Sequence, residues 1–135
     1  MLAQSAEPAL APALRARLRD CYGCFLFGNY LACVAMCRAT LEYAVKRFLL
    51  AKGASLTVNQ RDEGRELDLI SLIDMAAVHL GNDTQLSELM HRVRKRGNLV
   101  LHPAAVKNVS ERPTDRKQAL ECIEALRQVL RKVCR

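Results

Sequence analysis

Apolar positions recur at three- and four-residue spacing in five stretches of this chain. The first runs from about Pro12 to Phe27, with Leu14, Leu18, Cys21 and Phe25 in helical register, and Gly28-Asn29 breaks it. The second runs from Tyr30 to Lys52 and stops at Gly53, glycine being common just past a helix end. Ala54 to Glu66 reads as a polar loop of mixed charge. The third stretch, Leu67 to Leu80, sets Ile70, Ile73, Ala77 and Leu80 on one side and closes at Gly81-Asn82. Asp83 or Thr84 can cap the fourth, which carries Leu86, Leu89, Met90 and Val93; Pro103 ends whatever continues from it. Lys107 to Pro113 reads as loop. The last stretch starts near Thr114 and carries Ala119, Ile123, Leu126, Leu130 and Val133. No segment alternates with period two. The pattern predicts an all-α, five-helix up-and-down bundle. It forms one domain over residues 12–135, behind a flexible Ala/Pro arm at 1–11.

Composition agrees with helices. Only 4% of the 135 residues are aromatic and none is Trp, too few for the β-branched and aromatic runs of a sandwich or barrel. The most apolar stretch, Cys21 to Ala35, contains Gly28, Asn29 and Tyr30 and falls short of a bilayer span, so no membrane association is expected. Residues 1–12 lack the positive segment of a signal peptide, which leads to the expectation of a cytoplasmic protein whose six cysteines stay reduced. Cys21-x-x-Cys24 and Cys33-x-x-x-Cys37 have the look of paired metal ligands. The second pair, however, lies inside an apolar helix and not on a knuckle, so small buried thiols are expected and no metal. His79 and His91 have no carboxylate or thiol at ligand spacing and read as surface or helix-end residues. Phosphate-binding loops, dinucleotide glycine motifs and nucleophile elbows are missing, and no cofactor is expected.

Two features carry candidate chemistry. Wound at 100° per residue, the second helix places Leu31, Val34, Cys37, Leu41, Ala44, Val45 and Phe48 on one apolar stripe, and Arg38 falls inside it. A guanidinium there must be paired or must line a polar cavity, because an unpaired buried charge is strongly unfavourable. Glu42, four residues on, can pair with it; alternatively Arg38 points into a polar site shared with another helix. The fourth helix offers the second feature, Val93-Arg94-Lys95-Arg96-Gly97-Asn98-Leu99-Val100-Leu101-His102-Pro103. If the helix continues through Gly97, then Arg94, Asn98 and His102 stand four residues apart along one face, drifting only about 80°. If Gly97-Asn98 instead ends the helix, His102 sits in a loop and the alignment is lost. With formal net charge +7, the run His91 to Arg96 together with Lys107, Arg112, Arg116 and Lys117 can form an anion-attracting face. Arg92, Lys95 and Lys107 are its candidate nucleic-acid contacts.

Arg38-Ala39-Thr40-Leu41-Glu42, followed far downstream by Val93-Arg94-x-x-Gly97-Asn98-x-x-x-His102-Pro103, resembles the bacterial domain-of-unknown-function 4145 family. That family has an Arg-x-x-Leu-Glu segment on one helix and an Ile-Arg-x-x-Gly-Asn-x-x-x-His segment on a later one. It is grouped with the HEPN superfamily of small helical bundles, and the resemblance covers about Leu18 to Val133. It implies an HEPN-like fold, a homodimer and action on RNA. Many HEPN proteins are metal-independent ribonucleases whose signature is an arginine, four to six residues, then a histidine. Arg96 to His102 satisfies that spacing, whereas Arg94, which fits the narrower family's pattern, does not. Some HEPN toxins carry a regulatory Tyr two residues after the histidine; here that position is Ala104.

As an enzyme, the domain would use His102 as general base or acid on a ribose 2′-hydroxyl or the leaving oxygen. Arg94 or Arg96 would stabilise charge on the phosphate, and Asn98 would orient the imidazole or donate to the phosphate. Arg38 and Glu42 would support the site, and a dimer could supply acid and base from two copies. The competing expectation is a non-catalytic protein- or nucleotide-binding interaction module of a defence or toxin–antitoxin type system.

Overall fold

The computed structural model describes residues 10–57, 67–101 and 114–134. They form five helices and no strand: α1 Pro12–Leu26, α2 Tyr30–Ala51, α3 Leu69–His79, α4 Thr84–Leu101 and α5 Arg116–Val133. The protein is an all-α bundle. None of the described helices is long and apolar enough to cross a membrane.

Local chemistry sets the helix ends. Asp68 caps α3 by accepting from the Ser71 amide at 2.9 Å, and Asp83 caps α4 by accepting from the Leu86 amide at 3.1 Å. Asp115, one residue after the expected start, opens α5 through a reciprocal capping box with Gln118. At the end of α2 the chain turns at Gly53, whose φ of 79° is a left-handed conformation that a side chain would strain. There the Gly53 amide donates to the Leu50 carbonyl and the Ala54 amide to the Leu49 carbonyl, satisfying two acceptors that the helix end leaves open. The same pair of bonds closes α1 at Gly28-Asn29 and α3 at Gly81-Asn82.

Helix α2 is central and packs against each of the other four. Its buried face comprises Cys33, Val34, Cys37, Thr40, Leu41, Ala44, Val45 and Leu49. This set extends further toward Cys33 and Thr40 than the expected stripe, leaving Leu31 exposed and Arg38 near the edge. Thr40, the buried polar residue, is satisfied within its own helix by donating to the Met36 carbonyl at 2.7 Å. The expected α5 stripe, Ala119, Ile123, Leu126, Leu130 and Val133, is buried throughout. In α3 the buried positions are Leu69, Leu72, Ile73 and Ala76, and Ile70 is exposed. That helix is apolar nearly all round, so its periodicity alone does not choose a face; packing against α2 and α4 does.

Leu10 and Ala11, assigned to the arm, belong to the fold: Leu10 is buried, and the Ala11 carbonyl accepts from the Leu14 and Arg15 amides. At the turn between α1 and α2, Leu26, Phe27 and Leu31 are exposed.

Candidate functional site

Helix α4 runs unbroken through Gly97, which is buried against α2. Glycine inside a helix is unfavourable by about 1 kcal/mol relative to alanine. Here the space requires it: a Cβ at Gly97 would lie 2.4 Å from Cβ, 2.5 Å from Cδ and 2.8 Å from Cγ of Arg38. The aliphatic stem of Arg38 therefore lies in the groove that Gly97 opens.

Seated there, Arg38 reaches across to the next residue of α4. Its Nε donates to Asn98 Oδ1 at 2.8 Å, and its Nη1 donates to Glu42 Oε2 at 3.2 Å. Lys46 Nζ meets the other Glu42 oxygen at 3.1 Å. The Arg38 side chain is 19% exposed, so most of the desolvated charge is matched by a carboxylate and an amide oxygen. Arg38 thus pairs with Glu42 on its own helix and meets one member of the expected α4 polar set, Asn98.

Arg94, one turn before Asn98, turns elsewhere. Its Nε donates to His91 Nδ1 at 3.1 Å. The other ring nitrogen, Nε2, lies 3.4 Å from Asp74 Oδ1 on α3. Because Nδ1 accepts, the ring proton belongs on Nε2, facing the carboxylate. Next to this chain of contacts, Glu88, His91, Arg92, Arg94, Lys95, Arg96 and Leu99 line a hollow along α4. Arg92, Lys95 and Arg96 thus share a basic face with Arg94, while His102 and Lys107 lie outside the described residues.

The structure unites Arg38, Glu42 and Asn98, and separately Arg94, His91 and Asp74. Lys46 and Asp74 are the members that sequence reading passed over; His91, expected at the surface or at a helix end, is instead half-buried in the middle of α4 and takes both contacts. The three-residue spacing of His91 and Arg94 signals their contact. Asp74 sits on a different helix, so no spacing could have revealed it.

The thiols form a third group. Cys21, Cys33, Cys37 and Cys122 are buried, and Cys24 and Cys134 are half-buried. Cys37 lies at the centre: hydrogen bonding to Cys122, Cys21 and Cys33, together with burial, holds its thiol far above the ordinary cysteine range. Cys21 and Cys33 are lowered, chiefly through side-chain hydrogen bonding with Cys37. These thiols pack the junction of α1, α2 and α5. Among the described residues no three His, Cys, Asp or Glu side chains are arranged to hold a metal ion.

A continuous helix whose glycine seats an arginine of the neighbouring helix, with the next asparagine closing on that arginine, defines an all-α bundle domain built around one interhelical polar lock. Residues 19–135 match the model of the family described as Domain of unknown function (DUF4145), and the chain belongs to that family. No curated protein and no solved structure matches the chain.

Proposed function

We propose that this domain binds RNA along α4, with phosphates held by Arg94 and by the flanking Arg92, Lys95 and Arg96. In this reading His102, together with Arg94 or Arg96 and Asn98, carries out metal-independent cleavage as in HEPN-like proteins. The supporting observation is the unbroken passage of α4 through Gly97, which sets Arg94 and Asn98 on successive turns of one face, with a basic hollow alongside. Cleavage would begin with removal of the 2′-hydroxyl proton by His102. The 2′-oxygen attacks phosphorus, and the 5′-oxygen departs with a proton from a second acid, leaving a 2′,3′-cyclic phosphate. A second copy would supply that acid. The exposed Leu26, Phe27 and Leu31 are apolar surface that a homodimer could cover.

A second reading, a non-catalytic interaction module, draws support from the lock itself. Two of the three nitrogens of Arg38 are already bound to Asn98 and Glu42, an arrangement suited to fixing helices in place. Incubating the purified chain with RNA in excess chelator separates the two. Cyclic phosphate ends that vanish in His102→Ala, with the thermal melt unchanged, support cleavage. Binding without cleavage supports RNA binding without catalysis. Neither binding nor cleavage overturns the RNA reading.

A further inference from the structure

We infer that His91 is a positioning residue, held by Asp74, that aims the guanidinium of Arg94 into the basic hollow as a phosphate-binding fork. The inference rests on the RNA reading above and assigns a role within it to two residues outside the family-like motif.

Three observations lead to it. First, His91 uses its two nitrogens in opposite senses and on different helices: Nδ1 accepts from Arg94 Nε, and Nε2 faces the Asp74 carboxylate on α3. Only the Nε2–H tautomer can do both, and the carboxylate favours that tautomer. Second, the bond takes Nε, the inner nitrogen of Arg94. No hydrogen bond occupies Nη1 or Nη2 among the described residues, which leaves the fork that grips phosphate oxygens in pairs. Third, Arg94 and His91 both line the hollow with Arg92, Lys95, Arg96 and Leu99, where the carboxylate is Glu88. An arginine on a helix surface ordinarily loses side-chain freedom when it binds an anion. One already anchored through Nε loses less, so the anchor contributes affinity without touching the ligand.

The imidazole must be neutral for this. Protonation would put a hydrogen on Nδ1, set donor against donor, and free Arg94. Asp74 from α3 and Arg94 from α4 contact the ring, and the hollow that His91 lines also carries Glu88, Arg92, Lys95 and Arg96.

The test uses the full chain and two isosteric substitutions. Asparagine places its Oδ1 where Nδ1 stood and can keep the bond to Arg94. Glutamine places its amide near Nε2, toward Asp74, and leaves Arg94 unheld. We expect His91→Gln to weaken binding of a labelled single-stranded RNA about five-fold, matching Arg94→Lys, with His91→Asn staying within about two-fold of the parent chain. Nitrogen-15 spectra of the imidazole should show the Nε2–H tautomer in the parent chain, with part of that preference lost in Asp74→Asn. Equal losses in His91→Asn and His91→Gln, with unchanged melts, would overturn the inference, as would an Nδ1–H tautomer. If the parent chain binds no RNA, the RNA reading fails and the tautomer alone decides whether His91 holds Arg94.

Discussion

Gly97 lies beneath the side chain of Arg38 so closely that a methyl group placed on it would sit 2.4 Å from the Arg38 β-carbon. That carbon is fixed to the α2 backbone and cannot swing aside, so the helices themselves would have to part. Gly97→Ala should therefore destabilise the domain although alanine is the better helix former. Overpacking costs about 1–3 kcal/mol, against about 1 kcal/mol returned by helix propensity, for a net loss of up to about 2 kcal/mol. Urea unfolding midpoints measure it. Adding Arg38→Ala should not rescue the variant, since the opposing β-carbon remains. Adding Arg38→Gly removes that carbon and should relieve the crowding, an energetic coupling that a double-mutant cycle detects.

Asn98 presents its oxygen to Arg38 and keeps its amide hydrogens for other partners. Asn98→Asp retains the oxygen and turns the contact into a charge-assisted bond, so the melting temperature should hold or rise. The same change removes the side-chain donor that residue 98 has for a phosphate and puts a negative charge one helical turn from Arg94. RNA affinity should fall at least ten-fold in a variant that folds as well as its parent. Parallel melts and filter-binding titrations check this, and a loss of both fold and binding would assign Asn98 to the lock alone.

Arg38 and Asn98 also show what could be read in the chain before any coordinates. A lone guanidinium on an apolar stripe, and an asparagine at helical spacing from Arg94 far downstream, marked Arg38 and Asn98, while the turn of Arg94 toward His91 was not legible. Whether the downstream helix survives Gly97 was not legible, because its cost is set by the space beside it and that space belongs to another helix. The same limit hid Asp74, which reaches His91 only through the packing of α3 on α4. The five helices were legible because glycine and aspartate mark their ends. The buried face of α3 was not, since a helix apolar on most sides leaves that choice to its neighbours. The thiol junction was legible only as buried cysteines, because Cys122 joins Cys21, Cys33 and Cys37 from the far end of the chain.

That junction makes thiol reactivity a probe of the fold. Burial raises the half-buried Cys24 and Cys134, so at pH 8 each holds less reactive thiolate than a free cysteine. Both should react slowly with an aromatic disulfide reagent and faster as pH climbs toward and past 9. The buried Cys21, Cys33, Cys37 and Cys122 should stay silent until the chain unfolds. The expected count is two reactive thiols in the native protein and all six in guanidinium. A native count above two would mean that the α1–α2–α5 junction opens on the timescale of the assay.

The basic face of α4 makes a prediction that stability cannot imitate. Arg92 and Lys95 are exposed and Arg96 is half-buried, so replacing each with glutamine should change folding by less than about 0.5 kcal/mol. If these side chains meet phosphates, each replacement removes one counterion-release contact. The slope of log affinity against log salt should then fall by about 0.7 per residue for single-stranded RNA. Arg131 and Lys132 supply the control: both are exposed in the last turn of α5, away from the hollow, and changing them alters net charge equally. Long-range attraction alone would make the two sets of variants behave alike, because it depends on total charge. A slope that falls for the α4 residues and holds for the α5 residues therefore locates the phosphates on α4. Equal behaviour of the two sets would remove α4 as the binding face.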